Sequence, residues 1–321
     1  MRRLWFAAVA LGLVLSACAR RPSVWVFSAP WDPRSDQALA NGVAWRATIV
    51  SGWIALDTLG GVPSSLYRDA LLADSAGRPP RFALVTSYRG DRFHPEAVRA
   101  LGRDSLARRR AAAVLEQILR DGAYGGVVLD FEALAPADTG DLARVVEALG
   151  AAARRGGART VAIAVPALDT AAYPARILLQ YTDRLLVMLY DLHWSGSAPG
   201  PVAARDWARQ ALRTWVDAAS PARVVAAFPT YGYHWRPGAP TDVIGWGDAQ
   251  RLARESGQSL VRDSASGALR LHLGERGEAW IADGLLAAGM TADARALGVR
   301  TVALWRLGLE DPALWTALGF R

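Results

Sequence analysis

Asp130 and Glu132 close an apolar run, Tyr124-Gly125-Gly126-Val127-Val128-Leu129-Asp130-Phe131-Glu132, and they are the residues best placed to do chemistry. Alternation along a strand sends both carboxyls to one face. Burying two like charges side by side costs several kcal/mol each unless they are paired or one takes up a proton. A core strand has no use for such a pair. A general acid held protonated beside a second, ionised carboxylate does. Read without further context, the same pair would also serve as magnesium ligands or as half of an ion-pair network.

Something must hold this pair at a strand end. β-branched and apolar runs recur at Val24 to Phe27, Thr48 to Ser51, Phe82 to Thr86, Gly126 to Phe131, Val161 to Val165, Leu185 to Tyr190, Val224 to Phe228 and Thr301 to Trp305. Amphipathic helical segments fall between them, at Asp104 to Arg120, Thr139 to Arg154, Arg205 to Ala218 and Ala292 to Leu297. Continuous apolar strands alternating with such helices predict a parallel sheet covered by helices. Eight units predict an α/β fold of the (β/α)8 TIM-barrel class, with its chemistry at the C-terminal ends of the strands. Polar and aromatic residues gather there: Asp130 and Glu132, Tyr190-Asp191-Leu192-His193-Trp194, Tyr231 to Trp235, and Trp305-Arg306. No glycine-rich phosphate loop follows the first strand, which disfavours an open doubly wound sheet. The stretch from Pro237 to Gly284 reads as a small α+β insertion between strands seven and eight, with a helix near Gly247 to Glu255 and a hairpin turn at Ser264 to Gly267.

Residues 1–18 are expected to be a leader. Arg2 and Arg3 precede an apolar run from Leu4 to Leu15, too short for the roughly 20 residues of a spanning helix. Leu15-Ser16-Ala17-Cys18 resembles a bacterial lipobox, so Cys18 is the expected lipidation site, residues 19–321 the mature catalytic domain, and the cell envelope the expected location. Cys18 is the only cysteine, so no disulfide within the chain is available. The net charge of +7 falls to +5 without Arg2 and Arg3, and much of it lies on helices, as in Arg108-Arg109-Arg110. No basic stripe interleaved with aromatics suggests nucleic acid as a partner. His193 and His234 lack the spacing of a zinc site, so neither metal nor cofactor is expected. Of the 13 tryptophans, Trp207 and Trp215 share a helix and read as core.

Four segments together carry a resemblance to glycoside hydrolase family 18, the chitinase and N-acetylglucosaminidase family: Tyr124 to Glu132, Met188-Leu189-Tyr190-Asp191, Phe228-Pro229-Thr230-Tyr231-Gly232 and Leu304-Trp305. The segments after Tyr190 and after Trp305 look closest to the bacterial peptidoglycan and spore-cortex hydrolases. The resemblance implies a retaining hydrolase in which the substrate's own 2-acetamido oxygen, rather than an enzyme nucleophile, attacks the anomeric carbon. It implies that Glu132 is the acid and base, that Asp130 orients the acetamide, and that Tyr190 donates to its oxygen. Asp191, Met188, Trp305, Tyr231 and Trp235 would then bind substrate, an N-acetylated polysaccharide, on a monomer. The family's strand-four pattern often reads Asp-Gly-x-Asp-x-Asp-x-Glu, whereas Gly125 and Val128 stand at its two earlier acidic positions here. The Ser-x-Gly-Gly often seen after strand three is replaced by Thr86-Ser87-Tyr88-Arg89-Gly90. Two other readings of the same barrel remain: a glycan-binding protein without catalysis, and a metal-dependent phosphodiesterase or amidase.

Overall fold

The computed structural model describes residues 22–57, 59, 61 and 79–320. The expected leader and Cys18 lie outside the described residues. Eight parallel strands close into a barrel in sequence order. They are Ser23–Phe27, Thr48–Ala55, Arg81–Thr86, Gly126–Asp130, Thr160–Pro166, Arg184–Met188, Val224–Pro229 and Thr301–Trp305. They are called here the first to eighth barrel strands.

Each strand is buried on both faces, which is why its sequence reads as a continuous apolar run. One set of side chains, including Val26, Ile49, Val85, Leu129, Ile163 and Val187, packs outward against the helices. The other fills the lumen. Trp25 and Phe82 meet edge to face at 4.9 Å at its N-terminal end. Gly126 makes this possible, since a Cβ there would lie 2.6 Å from the Phe82 ring. Above them Leu84, Val128 and Leu186 form a layer, with the small Ala164, Ala227 and Ala303 between larger neighbours. Val128 therefore acts as apolar floor, directly below Asp130.

The second strand runs four residues past the expected end at Ser51. Gly52 interrupts the apolar pattern that the sequence reading relied on, yet the glycine is demanded by packing: a Cβ would sit 2.5 Å from the Tyr124 hydroxyl. The pairing register slips between Val50 and Gly52, a bulge that places Trp53 at the barrel mouth. Two helices that the periodicity did not reveal, Pro33–Ala40 and Pro95–Arg103, cover the barrel beside Ser105–Gly122, Thr139–Arg155, Arg205–Ala219 and Gly284–Ala296. Asp104 caps Ser105–Gly122 by accepting from the Leu106 and Ala107 amides, a contact worth about 1 kcal/mol.

Between the seventh and eighth strands a five-stranded antiparallel sheet rises over the mouth, with the helix Trp246–Ser256 packed on one face. It begins at Gly232, five residues before the expected Pro237, because Gly232–Trp235 pairs within this sheet, between Asp242–Ile244 and the central strand Glu278–Ile281, and does not continue the seventh barrel strand. Gly232 passes so close to the next strand that a Cβ would collide with the Trp280 carbonyl.

Candidate active site

The fourth strand ends at Asp130, in parallel register with Thr86 at the end of the third. The Thr86 hydroxyl donates to Asp130 Oδ2 at 2.9 Å, and the Ser87 amide donates to the Asp130 carbonyl at 3.0 Å. Just beyond, the Tyr173 hydroxyl donates to the Phe131 carbonyl at 2.8 Å, and Ala133 turns the chain with φ 59°, in the left-handed region that β-carbons disfavour. These contacts fix the turn that brings Glu132 beside Asp130 in one cavity.

Burial pushes the Asp130 carboxyl up to about 6, against the pull of hydrogen bonds from Thr86 and Glu132. Glu132 is raised well above the ordinary carboxyl range, first by burial and then by the charges of Asp130 and Asp191. The two titrate as a pair. At neutral pH the arrangement favours a proton on Glu132 and a charge on Asp130.

Tyr190 and Asp191 follow the sixth strand, and both line the same cavity. The Tyr190 hydroxyl finds no hydrogen-bond partner among the described residues. Burial, then the charges of Glu132, Asp130 and Asp191, raise its pKa well above the phenol range, so it stays a donor. Asp191 lies on the exposed rim with φ 56°. Its carboxylate is nonetheless enclosed: it accepts from the Tyr231 hydroxyl at 2.5 Å and the Tyr233 hydroxyl at 3.1 Å. Burial raises its pKa and the two phenols lower it.

Aromatic rings wall the cleft. Trp305 packs 5.4 Å from Phe27 and 6.0 Å from Trp53, and Trp53 meets the exposed Trp31 edge to face at 4.8 Å. The Trp53 indole N–H is held by the Ser28 carbonyl at 2.8 Å. The Trp305–Arg306 peptide is cis, and the Thr230 amide donates to the Trp305 carbonyl at 2.8 Å. Arg306, buried behind this wall, pairs with Asp32 at 2.7 Å and lies 5.9 Å from the Trp31 ring. Tyr88, Phe93, Leu168 and Trp207 line other parts of the same cavity, whose volume is about 620 Å3. Its charged lining is Asp130, Glu132, Asp169 and Asp191, with no arginine, lysine or histidine among the described residues.

Six of the residues singled out in the sequence thus share one cavity: Asp130, Glu132, Met188, Tyr190, Asp191 and Trp305. Two do not line it. Tyr231 is buried behind Asp191 and touches the site through that carboxylate. Trp235 is buried in the antiparallel sheet, 5.4 Å from Tyr233, and its N–H is spent on the Ser197 carbonyl at 3.0 Å. It braces the rim loop instead of facing substrate, since it belongs to the sheet strand misread as the end of the seventh barrel strand. Trp207 is half-buried, packing against the core as expected while also lining the cavity, and Trp215 is fully buried. Trp31, Trp53 and Tyr88 were missed, and Tyr233 was read only as part of the Tyr231 to Trp235 cluster, with no role of its own; no local motif marks them, and only the clustering of aromatics after strand ends points to them. His193 and His234 each meet a backbone carbonyl, of Ala198 and Arg276 respectively, and do not converge.

A parallel barrel whose mouth combines a carboxylate pair, a tyrosine hydroxyl without a hydrogen-bond partner among the described residues and an aromatic wall has the fold and the gathered strand-end residues that the resemblance to glycoside hydrolase family 18 implies. Similar proteins are described as glycosylases, chitinases and spore cortex-lytic enzymes. YvbX of Bacillus subtilis, described as an uncharacterized glycosylase, is 22% identical over 229 residues, covering 67% of this chain and 66% of its own length. YdhD of the same organism, a putative sporulation-specific glycosylase, is 28% identical over 176 residues, or 50% of this chain and 41% of its own. Neither relative is therefore matched over more than about two thirds of its length. A chitinase from Chromobacterium violaceum shares the fold with a TM-score of 0.79 at 23% identity, over 92% of this chain and 98% of that one. The spore cortex-lytic enzyme SleL of Bacillus cereus does so with a TM-score of 0.77 at 16% identity, over 92% and 73%. No protein-family model matches the chain.

Proposed function

We propose that this protein is an exported, lipid-anchored retaining glycoside hydrolase that cuts next to N-acetylhexosamine in peptidoglycan or a chitin-like polymer, with the substrate's acetamide as nucleophile. The observation that carries this reading is the half-buried Glu132 beside Asp130 in one cavity, where burial and the Asp130 charge favour a proton on Glu132. Glu132 gives that proton to the glycosidic oxygen as the bond from the anomeric carbon to the leaving sugar breaks. The acetamide oxygen forms the new bond to that carbon, and the leaving sugar departs as an alcohol. The resulting oxazolinium is cationic, and Asp130 lies where it can accept from its N–H and balance its charge. Tyr190 donates to the acetamide oxygen and sets its line of attack. Glu132, now a carboxylate, takes a proton from water, which adds to the anomeric carbon from the face the leaving sugar vacated as the bond from that carbon to the acetamide oxygen breaks and the neutral acetamide is restored. Configuration is retained.

The cavity supports this reading in two further ways. Pyranose C–H faces pack on aromatic rings, which Trp305, Trp53 and Trp31 supply in series. A lining charged only by carboxylates repels polyanions and stabilises a cationic intermediate, so phosphodiesters are poor candidates. The lipobox-like Leu15 to Cys18 supports export and acylation. The deciding experiment is Glu132→Gln on N-acetylated glycan oligomers and peptidoglycan, with products identified by mass spectrometry. Release of reducing ends should fall by three or more orders of magnitude with unchanged circular dichroism. Wild-type turnover by that variant would remove Glu132 from the chemistry, and equal rates on acetylated and de-N-acetylated polymer would remove the acetamide.

A further inference from the structure

The barrel end opposite the mouth is built differently. The strands there begin beside arginines: Arg46 two residues before the second, Arg81 opening the third, Arg159 before the fifth, Arg184 opening the sixth, Arg223 before the seventh and Arg300 before the eighth. Residues at strand starts of a parallel barrel share its N-terminal face, so these six form a ring. Arg46, Arg159 and Arg300 are exposed. Arg184 and Arg223 donate to backbone carbonyls, of Ala222 and of Leu179, Thr182 and Asp183 respectively, and neither is bonded to a carboxylate among the described residues. Carboxylates do occur on this face: Glu116 is engaged by Arg120 and Arg155, Asp183 by Arg154, Asp121 accepts from Gln117, and Asp217 is exposed. Arginines outnumber them. Within the ring a cavity of about 670 Å3 is lined by Arg120, Arg159 and Arg184 and, among the described residues, by no carboxylate.

The tether points to the same face. Ser23 opens the first strand and lines this cavity, and Cys18 precedes it by five residues. Fully extended, that is roughly 17 Å of chain, with Arg20 and Arg21 on the way. We propose that this arginine-ringed face is a docking surface for the anionic phospholipid headgroups of the membrane that holds the anchor, so that the acidic mouth opens away from the lipid toward the polymer. The orientation rests on the lipid-anchor reading above. The charge complementarity does not.

Residues 19–321 contain every described residue of the barrel and carry no acyl chain, so they isolate the face itself. Co-sedimentation with vesicles of phosphatidylglycerol and phosphatidylcholine should show binding that fails on phosphatidylcholine alone and at about 1 M salt, where screening reaches within roughly 3 Å. Arg159→Gln with Arg300→Gln should weaken it on the order of tenfold or more, at roughly fivefold per charge. Arg109→Gln with Arg110→Gln, on the flank of the barrel, should leave it unchanged. Equal binding to neutral vesicles, or equal loss from the flank variant, would overturn the proposal. So would a ring variant that loses retention on peptidoglycan sacculi but keeps the vesicles, which would assign the face to an anionic wall polymer. Salt and lipid dependence of the unmodified protein decide the matter even if a variant misfolds. Vesicle binding needs no turnover, so failure of the hydrolase reading shows only in the Glu132 assay.

Discussion

Thr86 and Asp130 stand opposite each other at the ends of adjacent barrel strands, and the 2.9 Å bond between hydroxyl and carboxylate is, with a bond from Glu132, what restrains the Asp130 pKa. The Thr86 oxygen also accepts from the Tyr88 amide at 2.9 Å, which leaves its own proton aimed at Asp130. Thr86 is a positioning residue with a readable signature. If Asp130 must be ionised for turnover, the acid limb of kcat/KM lies near its value of about 6, and Glu132 sets the alkaline limb above it. Thr86→Val removes the bond that lowers the Asp130 pKa. The acid limb should move to higher pH while the rate at the optimum falls roughly tenfold. A pH profile on a chromogenic N-acetylglucosaminide reads this directly, and an unmoved acid limb would detach Thr86 from the mechanism.

The same raised pKa works against the fold. Asp130 binds its proton more tightly folded than unfolded, so its contribution to stability is greatest below its unfolded value of 3.8 and is lost as pH rises through about 6. Asp130→Asn should therefore stabilise the protein at pH 8, by at most about 3 kcal/mol from a shift of roughly two units, and the gain should vanish near pH 4. Urea unfolding at the two pH values, beside an activity assay that shows loss of turnover, checks the sign. A variant less stable at pH 8 would mean that the hydrogen bonds to Asp130 outweigh its desolvation.

Tyr190 offers a cleaner separation of binding from chemistry, because its hydroxyl has no hydrogen-bond partner among the described residues and its ring stays packed against the core without it. Tyr190→Phe should leave the melting temperature within a degree or two and lower kcat by about 100- to 1,000-fold, with a smaller change in KM. Steady-state kinetics with thermal melts test this. A loss confined to KM would recast the hydroxyl as a simple binding contact.

Much of the barrel could be read from the chain because burial on both faces writes itself as apolar runs, and all eight were found within a few residues of their limits except the second. There the apolar run breaks at Gly52, a residue whose missing Cβ leaves room for the Tyr124 hydroxyl. The antiparallel sheet was partly misassigned for a similar reason: Tyr231 to Trp235 continues the composition of the seventh strand across a change of partner that no local pattern records. In the site, residues carried by a strand-end motif, Asp130, Glu132, Tyr190 and Trp305, fell into one cavity. Trp31, Trp53, Tyr88 and Tyr233 come from loops, a bulge and a different sheet, and only closure of the barrel brings them there. The charge was legible in amount but not in place. Arginines at or just before the starts of six strands look scattered along the chain until the barrel gathers them on one face.

Arg306 and Asp32 tie the aromatic wall to the first strand's loop, and their pairing should govern both stability and substrate affinity. Asp32 is buried, which pulls its pKa up, yet bonds from Arg34 and Arg306 outweigh this and hold it far below the usual carboxyl range. It also caps the helix Pro33–Ala40 through the Arg34 amide. A carboxyl with a depressed folded pKa stabilises at all pH above its unfolded value, and that stability drains away on acidification. Arg306→Met keeps the stem's packing but removes the charge, leaving Asp32 with Arg34 alone, whose side chain is partly solvent-exposed and also pairs with Asp248. Breaking a buried pair from one side should cost about 2 to 4 kcal/mol at pH 7, and acid unfolding should begin at a higher pH than in the parent. Because the Arg306 guanidinium also lies against Trp31, the exposed end of the wall should loosen, raising KM for oligosaccharides several-fold more than it lowers kcat. Denaturant titrations across pH and kinetics on short and long oligomers measure the two consequences separately. Unchanged KM with lowered stability would confine the pair to a structural role and leave Trp31 outside the substrate path.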